Sequence, residues 1–150
     1  MQDGWFFTFL GVPDLPEALI AGREEAWLTH LFRSWSYNPE MLSADEIDVY
    51  VHAYRQPGAV RGAAMDYRAA AEDIGQDMAD ADHLIACPVL ALWGADYPPN
   101  ARSFDLADVW RGMAHDVRAV AVPRCGHLVH EERPDVVNDE LLRFLEPWKG

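Results

Sequence analysis

The eight residues Cys87-Pro88-Val89-Leu90-Ala91-Leu92-Trp93-Gly94 constrain the fold of this chain more than any other stretch. They form a short apolar run closed by a glycine, the pattern of a strand buried on both faces in a parallel sheet. A helix is expected over residues 104–115, where Leu106, Val109, Trp110 and Met113 keep the i, i+3, i+4, i+7 spacing. Residues 116–122 read as a second strand that ends at Pro123. A last helix opens with Pro134 in its first turn and is expected to bury Val137, Leu141, Phe144 and Leu145. Strand, helix, strand describes two parallel strands joined by one crossover. Two such strands are not a self-sufficient core, because a parallel sheet needs both faces covered and neighbours to pair with. The residues ahead of them supply helices but no strand. Part of the sheet is therefore expected to lie outside this chain, either supplied by a partner or never encoded with it.

The first half reads as helices separated by turns. Asp14-Leu15-Pro16-Glu17 resembles a helix start, with a capping Asp, an early proline and Glu three residues after the cap. Leu19, Ile20, Trp27, Leu28, Leu31 and Phe32 follow, interrupted by Gly22. Ser43-Ala44-Asp45-Glu46 has the form of a capping box, and behind it Ile47, Tyr50, Val51 and Tyr54 share one helical face. Pro57-Gly58 ends that helix. A third helix is expected over residues 59–71, with Val60, Ala63, Ala64 and Tyr67 on one side. The acidic stretch 73–82 reads as a surface connection.

Composition narrows the function classes. Of the 150 residues half are apolar, enough to bury a core. Acidic residues number 25 against 12 basic ones, for a formal charge of −13, which repels nucleic acid and anionic membranes. The only cysteines, Cys87 and Cys125, do not make a disulfide framework. The apolar N-terminus has no basic flank or small-residue cleavage site, and no apolar run approaches the ~20 residues that span a bilayer. A soluble, cytoplasmic protein acting on a small molecule is the expectation.

Open α/β sheets carry their functional groups at the C-terminal ends of the strands. Two loops occupy such places, Gly94-Ala95-Asp96-Tyr97-Pro98-Pro99 and Arg124-Cys125-Gly126-His127. An Asp after one strand and a His after the next form the acid–base half of a nucleophile–acid–His triad, whose nucleophile would lie before residue 1. A neutral imidazole at His127 could deprotonate water or a hydroxyl. Asp96 is either the triad acid or a turn residue, since loop aspartates commonly stabilise turns. Neither a metal nor a cofactor is implied: His127, His130, Glu131 and Glu132 lack the helical HExxH spacing. Cys125 reads as a buried, inert thiol. Trp5, Trp35 and Tyr67 offer N–H and O–H donors on large apolar bodies, able to hold a halide or developing anion in a dry pocket or else to pack a core.

With these residues in view, the chain resembles the haloacetate (fluoroacetate) dehalogenase branch of the α/β-hydrolases, close to the epoxide hydrolases. The matching stretches are Trp5-Phe6-Phe7, Asp66-Tyr67-Arg68-Ala69, the strand Cys87 to Gly94, residues 104–117 with Val109-Trp110-Arg111, and Gly126-His127 followed by Glu132-Arg133-Pro134. They run nearly the full length in family order. The resemblance implies a helical cap over residues 1–82, followed over 83–150 by the C-terminal part of the core, strand-helix-strand-helix at one edge of a parallel sheet. It implies an Asp nucleophile, absent from this chain, that displaces halide, and water activated by His127 to hydrolyse the ester formed. Trp5, Trp35 and Tyr67 fall at places matching the halide pocket. Three departures stand out. Gly4 occupies a position that family members usually give to His. The triad acid of this branch often follows the sixth strand, outside the present chain. The nucleophile elbow and oxyanion residues are missing. An epoxide hydrolase or esterase chemistry is the nearest alternative. A non-catalytic fragment or interaction module is the alternative of another class, and the uncovered strand edge predicts self-association or pairing with a missing N-terminal half.

Overall fold

The computed structural model of the chain describes residues 4–97 and 105–148. The chain divides into two compact units: Met1–Ser34 with Leu42–Asp80, and Trp35–Met41 with Ala81–Gly150.

The first unit is all helical. Its helices are α1 (Trp5–Gly11), α2 (Leu15–Ile20), α3 (Glu24–Trp35, whose last residue already belongs to the second unit), α4 (Ala44–Tyr54) and α5 (Ala59–Ala79). Leu28, Ile47 and Val51 form a buried cluster, with Trp27, Phe32, Leu42, Tyr50 and Tyr54 packed around it. Ser43 caps α4 as a complete box: its hydroxyl accepts the Glu46 N–H while the Glu46 carboxylate accepts the Ser43 N–H. Two expectations are corrected here. Asp14 does precede α2, but it adopts left-handed backbone at φ 59° and its side chain caps nothing. The stretch 73–79 is not a surface connection, because α5 continues through it to Ala79. Gln76, Met78 and Ala79 are good helix formers, and the exposed Asp73 and Asp77 face water and leave the backbone ladder intact.

The second unit holds a two-stranded parallel sheet of β1 (Val89–Gly94) and β2 (Val117–Val122), paired from Val89↔Val117 to Gly94↔Val122. An isolated parallel bridge, Ile85↔Ala114, precedes it. β1 starts after Pro88, with the Val89 N–H donating to Asp116. Between the strands lies α6 (Leu106–Met113), whose N-cap Asp105 accepts the Ala107 and Asp108 N–H groups. After β2 come a one-turn α7 (Val129–Glu132), α8 (Pro134–Leu145) and a 3-10 turn over Glu146–Trp148. Position 104 of the expected crossover helix lies outside the described residues, as do Pro98 and Pro99.

The last helix does not bury its apolar face as the spacing predicts. Leu141 and Leu145 are exposed, Val137 and Phe144 only half-buried. In α6, Val109 and Met113 are exposed too. Periodicity encodes which face is apolar; what covers that face is a separate matter, and two strands offer too little surface to do so. Among the described residues no helix is long and apolar enough to cross a membrane.

Candidate functional site

The turn 123–128 at the C-terminal end of β2 is built by close backbone packing. A Cβ on Gly94, the last residue of β1, would lie 1.7 Å from the Gly126 carbonyl oxygen and 2.5 Å from that of Cys125. A Cβ on Gly126 would lie 2.2 Å from the Trp35 carbonyl oxygen and 2.7 Å from the Tyr37 nitrogen. Two glycines thus let the end of β1, the turn and segment 35–41 stack backbone against backbone, with no room for a side chain between. Neither glycine needs a left-handed conformation; both are required by space.

Hydrogen bonds then lock the turn. The Ala95 N–H donates to Val122 and the Asp96 N–H to Cys125. The Asp96 carboxylate accepts the Arg124 N–H at 2.7 Å. Arg124 has φ 52°, a conformation that a non-glycine residue adopts at a cost, and this charge-assisted bond helps hold it there. The Arg133 guanidinium donates to the Pro123 carbonyl at 3.0 Å. Glu132 accepts from both neighbours of His127, Gly126 at 2.9 Å and Leu128 at 3.3 Å, and also from Tyr37 at 2.7 Å. The His127 N–H itself donates to the Trp35 carbonyl at 2.7 Å.

The His127 imidazole emerges from this scaffold between two aromatic rings. Its centroid lies 5.2 Å from that of Trp35, edge-on at 75°, and 4.7 Å from that of Tyr97, tilted by 36°. The residue keeps an exposed edge, while Tyr97 is buried. Partial removal from water pushes the imidazole pKa below its ordinary 6.5; nearby Glu132 pulls it back up and His130 adds to the fall. The group is therefore a neutral, accessible base at pH 7, the state in which it can take a proton. Cys125, buried below, is driven up to about 11, chiefly by burial and then by Glu132, with Arg133 opposing and Asp96 adding. It stays a thiol and is no nucleophile at neutral pH.

The residues singled out from the sequence are distributed unevenly. His127, Trp35 and Asp96 belong to the second unit, and Trp35 stands against His127. The Asp96 carboxylate serves the Arg124 turn; among the described residues no hydrogen bond joins it to the imidazole. Trp5 and Tyr67 belong to the first unit. There Trp5 packs with Phe9, Trp27 and His30, and Tyr67 with Phe6 and Phe7. Burial, with help from Asp66, raises the Tyr67 pKa, so its hydroxyl remains a donor. Among the described residues no group of three or more His, Cys, Asp and Glu is arranged to hold a metal ion. Tyr97 and Glu132 escaped a reading by motif. The sequence signals for them are that Tyr97 sits in a loop after a strand and that Glu132 opens the Glu132-Arg133-Pro134 stretch following Gly126-His127.

No family model matches the chain. The soluble epoxide hydrolase of Corynebacterium sp. (strain C12) is 31% identical over 141 residues, covering 93% of this chain and 48% of that protein. Fluoroacetate dehalogenase of Burkholderia sp. is 25% identical over 144 residues, covering 94% and 47%. The solved structure of the epoxide hydrolase CorEH without ligand superposes with a TM-score of 0.85 at 28% identity, covering 96% of this chain and 50% of that one. The chain thus spans about half the length of the curated relatives it matches. By sequence and by fold, the chain is similar to one part of the α/β-hydrolases and carries a part of their fold.

Proposed function

We propose that the chain supplies the base-bearing part of a hydrolase that opens a carbon electrophile, an epoxide or a 2-haloacid, through a covalent ester. The observation that carries this reading is His127: a neutral, solvent-reachable imidazole on a rigid turn beyond the C-terminal end of β2, walled by Trp35 and Tyr97. In this reading residues 1–82 are the helical cap and 83–150 the C-terminal part of the core. The nucleophile is an Asp carboxylate outside this chain. Its oxygen bonds to the electrophilic carbon. In a haloacid, halide leaves with the bonding electrons; in an epoxide, the ring C–O bond breaks and the freed oxygen takes up a proton. Water then attacks the ester carbonyl as His127 removes its proton, the acyl–oxygen bond breaks, and the carboxylate and an alcohol are released.

Within this class the balance favours an epoxide. The epoxide hydrolase relative is more similar than the dehalogenase, and Gly4 replaces the histidine that the dehalogenase resemblance leads one to expect. Trp35 is the aromatic donor best supported as part of this chemistry, because it stands beside the base. Asp96 is better supported as the clamp of the Arg124 turn than as the triad acid.

The test is turnover of styrene oxide-type epoxides and of haloacetates by the chain alone, and by the chain co-expressed with an N-terminal half of a relative that carries a nucleophile elbow. Turnover is expected only in the mixture. His127→Ala should slow it by about 100-fold or more and leave the ester to accumulate on the complementing half, visible as added mass. Turnover indifferent to His127 would overturn the reading.

A further inference from the structure

One carboxylate holds the turn from beneath. The Glu132 Oε1 accepts the N–H groups of Gly126 (2.9 Å) and Leu128 (3.3 Å), the two residues that flank His127. Its Oε2 accepts the Tyr37 N–H at 2.7 Å, across 95 positions of chain. Two residues before Tyr37, the Trp35 carbonyl accepts the His127 N–H, and the Trp35 ring forms one wall around the imidazole. Gly126 lies so close that a Cβ on it would come within 2.8 Å of Glu132 Oε1. Three donors converging on one side chain call for an acceptor at both oxygens, which a carboxylate provides. A glutamine would turn an NH2 group toward at least one backbone N–H.

We propose that Glu132 is the positioning residue of His127: it fixes the imidazole between Trp35 and Tyr97 by tying the turn on both sides of it to segment 35–41. The proposal rests on the reading of His127 as the base, but its test does not use turnover. In Glu132→Gln the His127 amide, which bonds to Trp35 and not to Glu132, should exchange with solvent at least tenfold faster. The imidazole C–H resonances, displaced by the Trp35 and Tyr97 rings, should move toward those of free histidine. Glu140→Gln serves as the control, since Glu140 pairs with Arg118 and Arg143 in the same unit and touches no part of the turn. A folded Glu132→Gln with the wild-type His127 signature, or an equal change in Glu140→Gln, overturns the proposal. Should Glu132→Gln not fold, Glu132→Asp decides: its shorter carboxylate cannot reach Tyr37 and both flanking amides together, so the His127 amide must exchange faster and the imidazole resonances move in the same way, and a wild-type signature sinks the idea. An intact signature in a chain whose reconstituted mixture turns nothing over would count against the hydrolase reading alone.

Discussion

At the scale of single residues, the turn after β2 depends on what is left out as much as on what is present. Gly126 has backbone neighbours on the side where a Cβ would project, and backbone cannot swing away as a flexible side-chain end can. Gly126→Ala is therefore expected to cost about 3 kcal/mol, the upper part of the range for overpacking, read as a lowered urea midpoint with unchanged slope. His127 makes a second prediction. Its folded pKa lies below 6.5, so as the pH falls through 6.5 the unfolded chain takes up the proton first. The residue thus contributes stability that is present above 6.5 and is lost as the pH drops toward the lower folded value. An NMR titration of its Cε1–H should place the midpoint below that of a histidine in a peptide, and the acid limb of any reconstituted activity should follow it. A midpoint at or above 6.5 would contradict the packing account.

At the scale of elements, the helices of the first unit owe their ends to specific polar groups. The loop before α2 and the middle of α5 are joined by the Arg68 guanidinium, which grips both oxygens of Glu17 at 2.8 and 2.9 Å and donates to the Val12 carbonyl at 2.7 Å. This bidentate pair, together with the Glu17 backbone N–H, lowers the Glu17 pKa from 4.5 to about 2. A depressed carboxylate contributes stability that is complete above its unfolded pKa and lost as the pH falls through its folded one. Glu17→Gln should therefore melt below the wild type at pH 5 to 7, and the two should converge as the pH approaches 2. A constant gap across that range would mean that the carboxylate's charge is not what holds α2 to α5. The capping box of α4 was legible in four consecutive residues, because a cap is a local device. The Arg68–Glu17 pair spans 51 positions and leaves no local pattern.

At the scale of the whole molecule, apolar side chains remain exposed on the helices of the second unit. Leu142 on α8 is 58% exposed and Leu145 48%, and Val109 on α6 is 42% exposed. Among the described residues the sheet has two strands, so each has an unpaired edge. Such surface is favourable to bury at roughly 25 cal/mol per Å². The chain on its own is expected to self-associate at micromolar concentration in sedimentation velocity, with Leu142→Glu shifting the distribution toward monomer. A monodisperse, sharply melting monomer would count against this account, and against the need for a complementing half. The formal charge of −13 opposes association, so salt should strengthen it.

The sequence by itself determined the helical character of the first half and the strand-helix-strand-helix order of the second. Helical spacing, a capping box and a glycine-closed apolar run are local signals, set by bonds and contacts within a few residues. It also marked His127 as the group to watch, since a histidine after the second of two parallel strands has a place that topology alone assigns. Tertiary structure decided which carboxylate serves which loop. Asp96 and Glu132 look alike as loop acids near a histidine, yet Asp96 clamps Arg124, 28 positions away, while Glu132 flanks the base and reaches Tyr37. It decided as well that Trp35 meets His127 while Trp5 packs among the rings of its own unit. The reason is physical: hydrogen bonds and ring contacts depend on distances of a few ångströms in space, and separation along the chain does not encode them.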